Sequence, residues 1–156
     1  MKIAVIVGSV RPGRAGLDVA NWYIDQVKDT PGLEFELVDL KDHPLPLLDE
    51  PMPPAMGQYE KAHTKAWSEV ISRYDGYVWV TSEYNHAPPA SLLNAISYLF
   101  NEWSKKPVAM VGYGNMAGAR AVEHLRNVAG ELDMVDLRMA VGVRNPWTIT
   151  DKSSKN

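Results

Sequence analysis

Five short segments concentrate apolar residues in runs of strand length: Lys2–Val7, Glu34–Leu40, Gly76–Thr81, Pro107–Gly112 and Val135–Val143. "IAVIV", "YVWV" and "VAMV" are continuously apolar rather than alternating. That pattern suits strands covered on both faces, as in a parallel sheet. "EFELVDL" carries Glu34, Glu36 and Asp39 and reads as an edge strand. Helical spacing fills the gaps, through Leu17, Ala20, Ile24 and Val27, then Trp67, Val70, Ile71 and Tyr74. Leu92, Ile96, Leu99, Phe100 and Trp103 make the strongest stripe, and Ala121, Leu125, Val128 and Leu132 the last. The order βαβαβαβαβ predicts a doubly wound α/β fold, expected as one domain over residues 1–156.

Two segments stand outside this pattern. Residues 43–58, "HPLPLLDEPMPPAMGQ", hold five prolines and exclude regular helix. They form a long connection, either functional or a rigid surface crossover. After the fifth strand, "RNPWTITDKSSKN" is polar and has no amphipathic pattern. A closing helix is therefore expected to be absent, leaving one sheet face covered mainly by the first helix, with a partner or a longer tail to cover the rest.

Composition narrows the chemistry. The chain has 156 residues, 46% of them apolar, enough for a real core. A net charge of −3 implies no basic face and argues against nucleic-acid binding. No apolar run reaches bilayer length, so no membrane association is expected and a cytoplasmic location is the default. The chain has no cysteine, which excludes disulfides and thiolate catalysis. His43 and His63 lack partners at ligand spacing, so no metal site is expected.

The most pointed stretch is "GSVRPGRAG", residues 8–16, between the first strand and the first helix. In a doubly wound sheet, ligands sit at the carboxyl ends of the strands, near the switch point. The amides opening a helix lack intrahelical partners, and the dipole there is positive. That turn suits an anion. Ser9 adds a hydroxyl, Arg11 and Arg14 add charge, and Gly13 and Gly16 permit a tight turn and close approach. Neither a Gly-Lys-Ser/Thr ending nor a Gly-x-Gly-x-x-Gly spacing is present. Two more unusual loops end strands three and four: "TSEYNHAPPASLLNA" (81–95) and "GYGNMAGARAVEHLR" (112–126). All three fall on one rim, which could hold a phosphate, a polar chain and a flat heterocycle.

Together these loops resemble the NADPH-dependent FMN reductases. "GSVRPGR" resembles the family's Gly-Ser-x-Arg-x-x-Arg/Ser turn, and "EYNHAPPASLLNA" its Glu-Tyr-Asn-x-x-x-Pro-x-x-Leu-Lys-Asn-Ala segment. "GYGNMAGARAVEHLR" resembles its third flavin loop. Ser82, Leu93 and Ser97 depart from the proline, lysine and aspartate usual there. The resemblance implies a flavodoxin-like, three-layer αβα fold with strand order 2-1-3-4-5. It implies FMN as cofactor, NADPH or NADH as co-substrate, and a small-molecule electron acceptor such as a quinone, azo dye, nitro compound, metal oxyanion or free flavin. By the resemblance, Ser9, Arg11 and Arg14 bind the flavin phosphate, with Gly16 and Leu17 at the helix start. Glu83, Tyr84, Asn85 and His86 border the ring and ribityl chain. Tyr113, Gly114, Asn115 and Gly118 line the pyrimidine side. No side chain is assigned as acid, base or nucleophile. A homodimer or homotetramer is implied, with the aromatic stripe as one possible interface. A flavodoxin-type electron carrier and a flavin-free phosphate-binding domain are the competing readings. Glu83 could instead cap the helix beginning near Pro89, and Arg120 and Glu123 read as a solvated helix face.

Overall fold

The structure is a computed structural model that describes residues 1–150. Its elements are β1 (Lys2–Val7), α1 (Gly16–Val27), β2 (Glu34–Asp39), α2 (Ala62–Ser72), β3 (Gly76–Ser82), α3 (Ala90–Ser97), β4 (Pro107–Tyr113), α4 (Ala119–Glu131), β5 (Val135–Val143) and α5 (Trp147–Thr150). The five strands are parallel and ordered β2-β1-β3-β4-β5. The charged segment is indeed an edge strand. Register aligns the carboxyl ends: Val7 faces Asp39 and Val80, and Ser82 faces Tyr113, which in turn faces Val143. This rim carries all three candidate loops, and the chain reverses direction of travel across the sheet between β1 and β3.

Continuous apolarity in the central strands is explained by burial from both sides. One face packs Ala4, Ile6, Trp79 and Met110 against α2, α3 and α4. The other packs Val5, Val7, Val80 and Val111 against α1. Each fully buried Leu, Ile or Val on these faces stabilises the fold by about 1.5–3 kcal/mol. The four-residue α5, which the tail's polarity hides, adds Ile149 to the α1 side. Residues 151–156 lie outside the described residues, so the expectation about a closing helix is left there. On β5, Val135, Leu137, Met139 and Val141 remain exposed. Among the described residues no helix is long and apolar enough to cross a membrane.

Three local differences from the sequence reading have clear causes. Leu40 leaves β2 because the Asp39 carboxylate accepts the Lys41 N–H (3.0 Å) and turns the chain. Strands β3 and β4 each extend one residue, because Ser82 and Tyr113 pair with one another. The strongest stripe is not one helix: α3 ends at Ser97, and the chain continues in tight turns. Trp103 still reaches the core, donating to Ile96 O (3.1 Å) and meeting Tyr77 edge-on at 4.7 Å. Tyr98 and Trp103 are fully buried within the chain, so this stripe is core and not a surface aromatic face.

The proline-rich segment is a fastened strap. Asn94 donates to Pro46 O (2.8 Å) and accepts from Leu48 N (3.1 Å), while Tyr98 OH donates to Pro46 O (3.0 Å). Glu50 accepts the Glu60 and Lys61 amides (2.9 Å each) just before α2 begins. Proline removes backbone donors, so side chains tie the strap down instead.

Candidate functional site

The turn after β1 leads into α1 with its first-turn amides uncapped by any side chain. Those amides have no intrahelical acceptor and sit at the positive end of the helix dipole. Gly16 lets the helix start press onto β4. A Cβ there would lie 2.6 Å from Tyr113 Oη, closer than any real contact. Ser9 is fully buried, and its hydroxyl shares a 2.7 Å hydrogen bond with Tyr84 OH. The first and second loops are thereby joined at their bases.

The two arginines of the turn differ in kind. Arg14 is an internal brace. Its guanidinium donates to Ser9 O (2.7 Å) and forms an ion pair with Asp39, the last residue of β2. Both side chains are nearly enclosed, at 8% and 10% exposure. Arg11 is exposed and has no carboxylate partner among the described residues. It lies close to Tyr84. Burial raises that phenol's pKa, but the Ser9 hydroxyl bonded to it and the nearby Arg11 charge help outweigh burial and bring it below the ordinary value. The sequence pattern gives both arginines one role. The geometry leaves Arg11 as the charge open to a ligand and makes Arg14 the residue that holds the turn.

The second loop is a tight reversal. Tyr84 and Ala87 exchange amide–carbonyl bonds (2.9 and 3.0 Å), with Asn85 (φ 51°) and His86 (φ 66°) left-handed between them. Asn and His tolerate that region better than most residues, and two successive positive φ values match a type I′ turn. Glu83 lies beneath, 9% exposed, accepting from Arg120 N (3.1 Å) and Arg120 Nε (2.8 Å). It therefore caps the start of α4. The alternative that it caps the helix near Pro89 is not realised, since both its carboxylate oxygens are taken by Arg120 at the start of α4. Arg120 also donates to His86 Nε2, which requires the Nδ1–H form of that ring. The reading of Arg120 as a solvated residue is thus corrected: it ties the second loop to the third. Glu123 is solvated as expected, at 73% exposure.

In the third loop, Gly114 N donates to Val143 O (3.1 Å), and Ala117 N returns to Gly114 O (2.9 Å). Between the loops lies a groove of about 310 Å³. Of the predicted residues, Arg11, Arg14, Glu83, Tyr84, Tyr113 and Gly114 line it. Ser9 sits behind Tyr84, Gly16 is beneath the helix start, and Leu17 packs into the α1-side core. Asn85, His86 and Asn115 are exposed on the rim outside the lining, and Gly118 is buried at the start of α4. Trp147, Pro146 and Asp18 also line the groove. Sequence reasoning missed them because two belong to the patternless tail and one looks like an ordinary helix-opening acid.

The donor set fits FMN. A phosphate suits the uncapped α1 amides and Arg11. Ser82 Oγ and Tyr113 Oη are buried beneath the groove with no well-formed hydrogen bond. Burial raises the Tyr113 pKa, keeping its hydroxyl protonated as a donor. Such orphaned polar groups call for a partner.

The profile of the NADPH-dependent FMN reductase family matches residues 1–148. The chain is 46% identical over 126 residues to the NAD(P)H-dependent FMN reductase ntnL of Nectria sp., covering 77% of this chain and 63% of that protein. It is 44% identical over 135 residues to the NAD(P)H-dependent FMN reductase C4B3.06c of Schizosaccharomyces pombe, covering 85% and 68%. The chain thus spans about two thirds of the length of these fungal relatives. Among solved structures it superimposes on FerB, a flavoenzyme NAD(P)H:(acceptor) oxidoreductase from Paracoccus denitrificans, with a TM-score of 0.69 and 25% identity, covering 88% and 75%. With the family match running through all three loops of the groove, this chain belongs to the NADPH-dependent FMN reductase family.

Proposed function

We propose that the protein is an FMN-dependent NAD(P)H oxidoreductase that passes electrons to a small-molecule acceptor, within the class of quinones, azo and nitro compounds, metal oxyanions and free flavin. One observation carries this reading. The groove joins an open anion site at α1 to buried, unpartnered hydroxyls under the second and third loops. Bound FMN supplies the hydride- and electron-transfer chemistry. The chain's part is to hold and orient it. Arg11 and the α1 amides grip the phosphate, and Arg14, locked to Asp39, fixes the turn that presents them. Tyr84, steadied by Ser9, forms one wall, and Tyr113 with Gly114 forms the other. Amides of the third loop offer donors where negative charge develops. The groove opens to solvent, so donor and acceptor enter from the same side in turn.

The phosphate assignment predicts a selective effect. A charge-assisted bond contributes about 1.5–3 kcal/mol. Arg11→Ala should therefore weaken FMN binding by roughly 10- to 100-fold and leave riboflavin binding unchanged. Fluorescence quenching titrations with both ligands read this out, and equal losses would refute the phosphate role. For the overall activity, anaerobic stopped-flow mixing of NADPH-treated, FMN-loaded protein with a quinone should restore the oxidised spectrum. Persistence of the reduced spectrum with every acceptor class would count against the reading.

A further inference from the structure

A second groove of about 280 Å³ opens on the same rim, on the far side of the phosphate turn. It shares no lining residue with the flavin groove, although Val10 lines one and Arg11 the other. Its walls are apolar, from Val10, Leu40, Leu45 and Ala95, with Lys41 and His43 among them. The walls are also fixed. Asp39 holds the Lys41 amide, Ser91 Oγ donates to Gly8 O beneath, and Asn94 and Tyr98 anchor the strap just beyond Leu45. The cavity is therefore built into the fold. Its volume is at the small end for ligand pockets, which begin near roughly 300 Å³, so it suits part of a larger molecule.

The charges in the groove are distinctive. Lys41 is exposed and makes no side-chain hydrogen bond or ion pair among the described residues. Of the other cations on this rim, Arg14 is paired with Asp39, Arg120 is paired with Glu83, and Arg11 lines the flavin groove beside Tyr84. His43 leans on Trp67, with ring centroids 5.3 Å apart. Burial pushes its pKa below the ordinary histidine value, so at neutral pH it presents a flat, uncharged ring. The groove thus pairs an apolar slot with one unspent ammonium group. That is the chemistry for a flat heterocycle bearing a phosphate.

We propose that this groove is the subsite for the 2′-phosphoadenosine half of NADPH, with Lys41 reading the 2′-phosphate. The proposal rests on the reductase reading above, which requires a dinucleotide whose other end reaches the flavin groove. Val10 lines one groove and its chain neighbour Arg11 lines the other, so an extended dinucleotide that follows this turn would span both. Lys41 thereby becomes the residue that favours NADPH over NADH.

The test measures binding without turnover. FMN-loaded protein is titrated calorimetrically with 2′,5′-ADP and with 5′-AMP, which differ by the 2′-phosphate. Wild type should bind 2′,5′-ADP at least tenfold more tightly. Lys41→Ala should abolish that preference and leave 5′-AMP binding and FMN retention unchanged, and Lys41→Arg should restore most of it. Equal affinity for the two nucleotides in wild type, or an intact preference in Lys41→Ala, would overturn the proposal. An NADPH bleaching assay on the same samples separates the two failures. Preference without bleaching leaves the groove standing and sinks the reductase reading. Bleaching without preference does the reverse.

Discussion

Asp39→Ala should destabilise the protein by about 3–5 kcal/mol, the range for stranding one member of a buried ion pair. The substitution leaves the Arg14 guanidinium enclosed, with Ser9 O as its remaining acceptor. It also frees the Lys41 amide and loosens the chain leaving β2. The consequence reaches function through the turn. Arg14 is bonded to the backbone of Ser9, and Ser9 holds Tyr84, so a shift of Arg14 disturbs the phosphate turn and the second loop together. Urea denaturation should show the stability loss, and FMN and riboflavin should both bind more weakly. That last point distinguishes Asp39 from Arg11, whose removal should affect FMN alone. Combining Arg14→Met with Asp39→Leu separates stability from binding. An apolar pair of similar volume should recover most of the stability, because buried ion pairs contribute little net. Flavin affinity should stay low, because nothing then ties the turn to β2. Recovery of both would mean the pair is dispensable to the site.

Gly118→Ala should be nearly as damaging, by about 3 kcal/mol or more. Gly118 caps α4 with φ +68°. An added Cβ would lie 2.7 Å from both Gly112 Cα and Tyr113 N. Those are backbone atoms of β4 and cannot rotate away. The third loop would have to lift off the strand, carrying Tyr113 and Gly114 out of the groove wall. Gly130→Ala is the control. It lies inside α4 with open space around its Cα, and it should stabilise by about 0.5–1 kcal/mol. Thermal melts of the two variants should therefore move in opposite directions. A small effect at Gly118 would show that the loop is not held as described.

The fold was legible because its signals are local. Continuous apolar runs such as "IAVIV" and "YVWV" mark doubly covered strands, and the charges of "EFELVDL" mark an edge. The three loops stood out because each combines turn residues with chemistry at a strand end. The roles within those loops were less legible, because they depend on partners far along the chain. Nothing near Arg14 announces Asp39, which is 25 residues away and adjacent only through the β1–β2 register. Arg120 occupies a helix position that sequence reads as solvent-facing, and only the fold brings Glu83 and His86 to it. The stripe through Trp103 misled because turns of three residues keep apolar side chains on nearly the same face as a helix does. Trp147 lacked any periodic context, so its place in the groove came from tertiary structure alone.

The most direct test of the central claim is an anaerobic NADPH titration of the protein after FMN addition and desalting. The account predicts a retained flavin spectrum that bleaches in full with one equivalent of NADPH per bound flavin. Retained flavin that stays oxidised would contradict it and point to an electron carrier, and loss of all flavin on desalting would contradict the cofactor site itself.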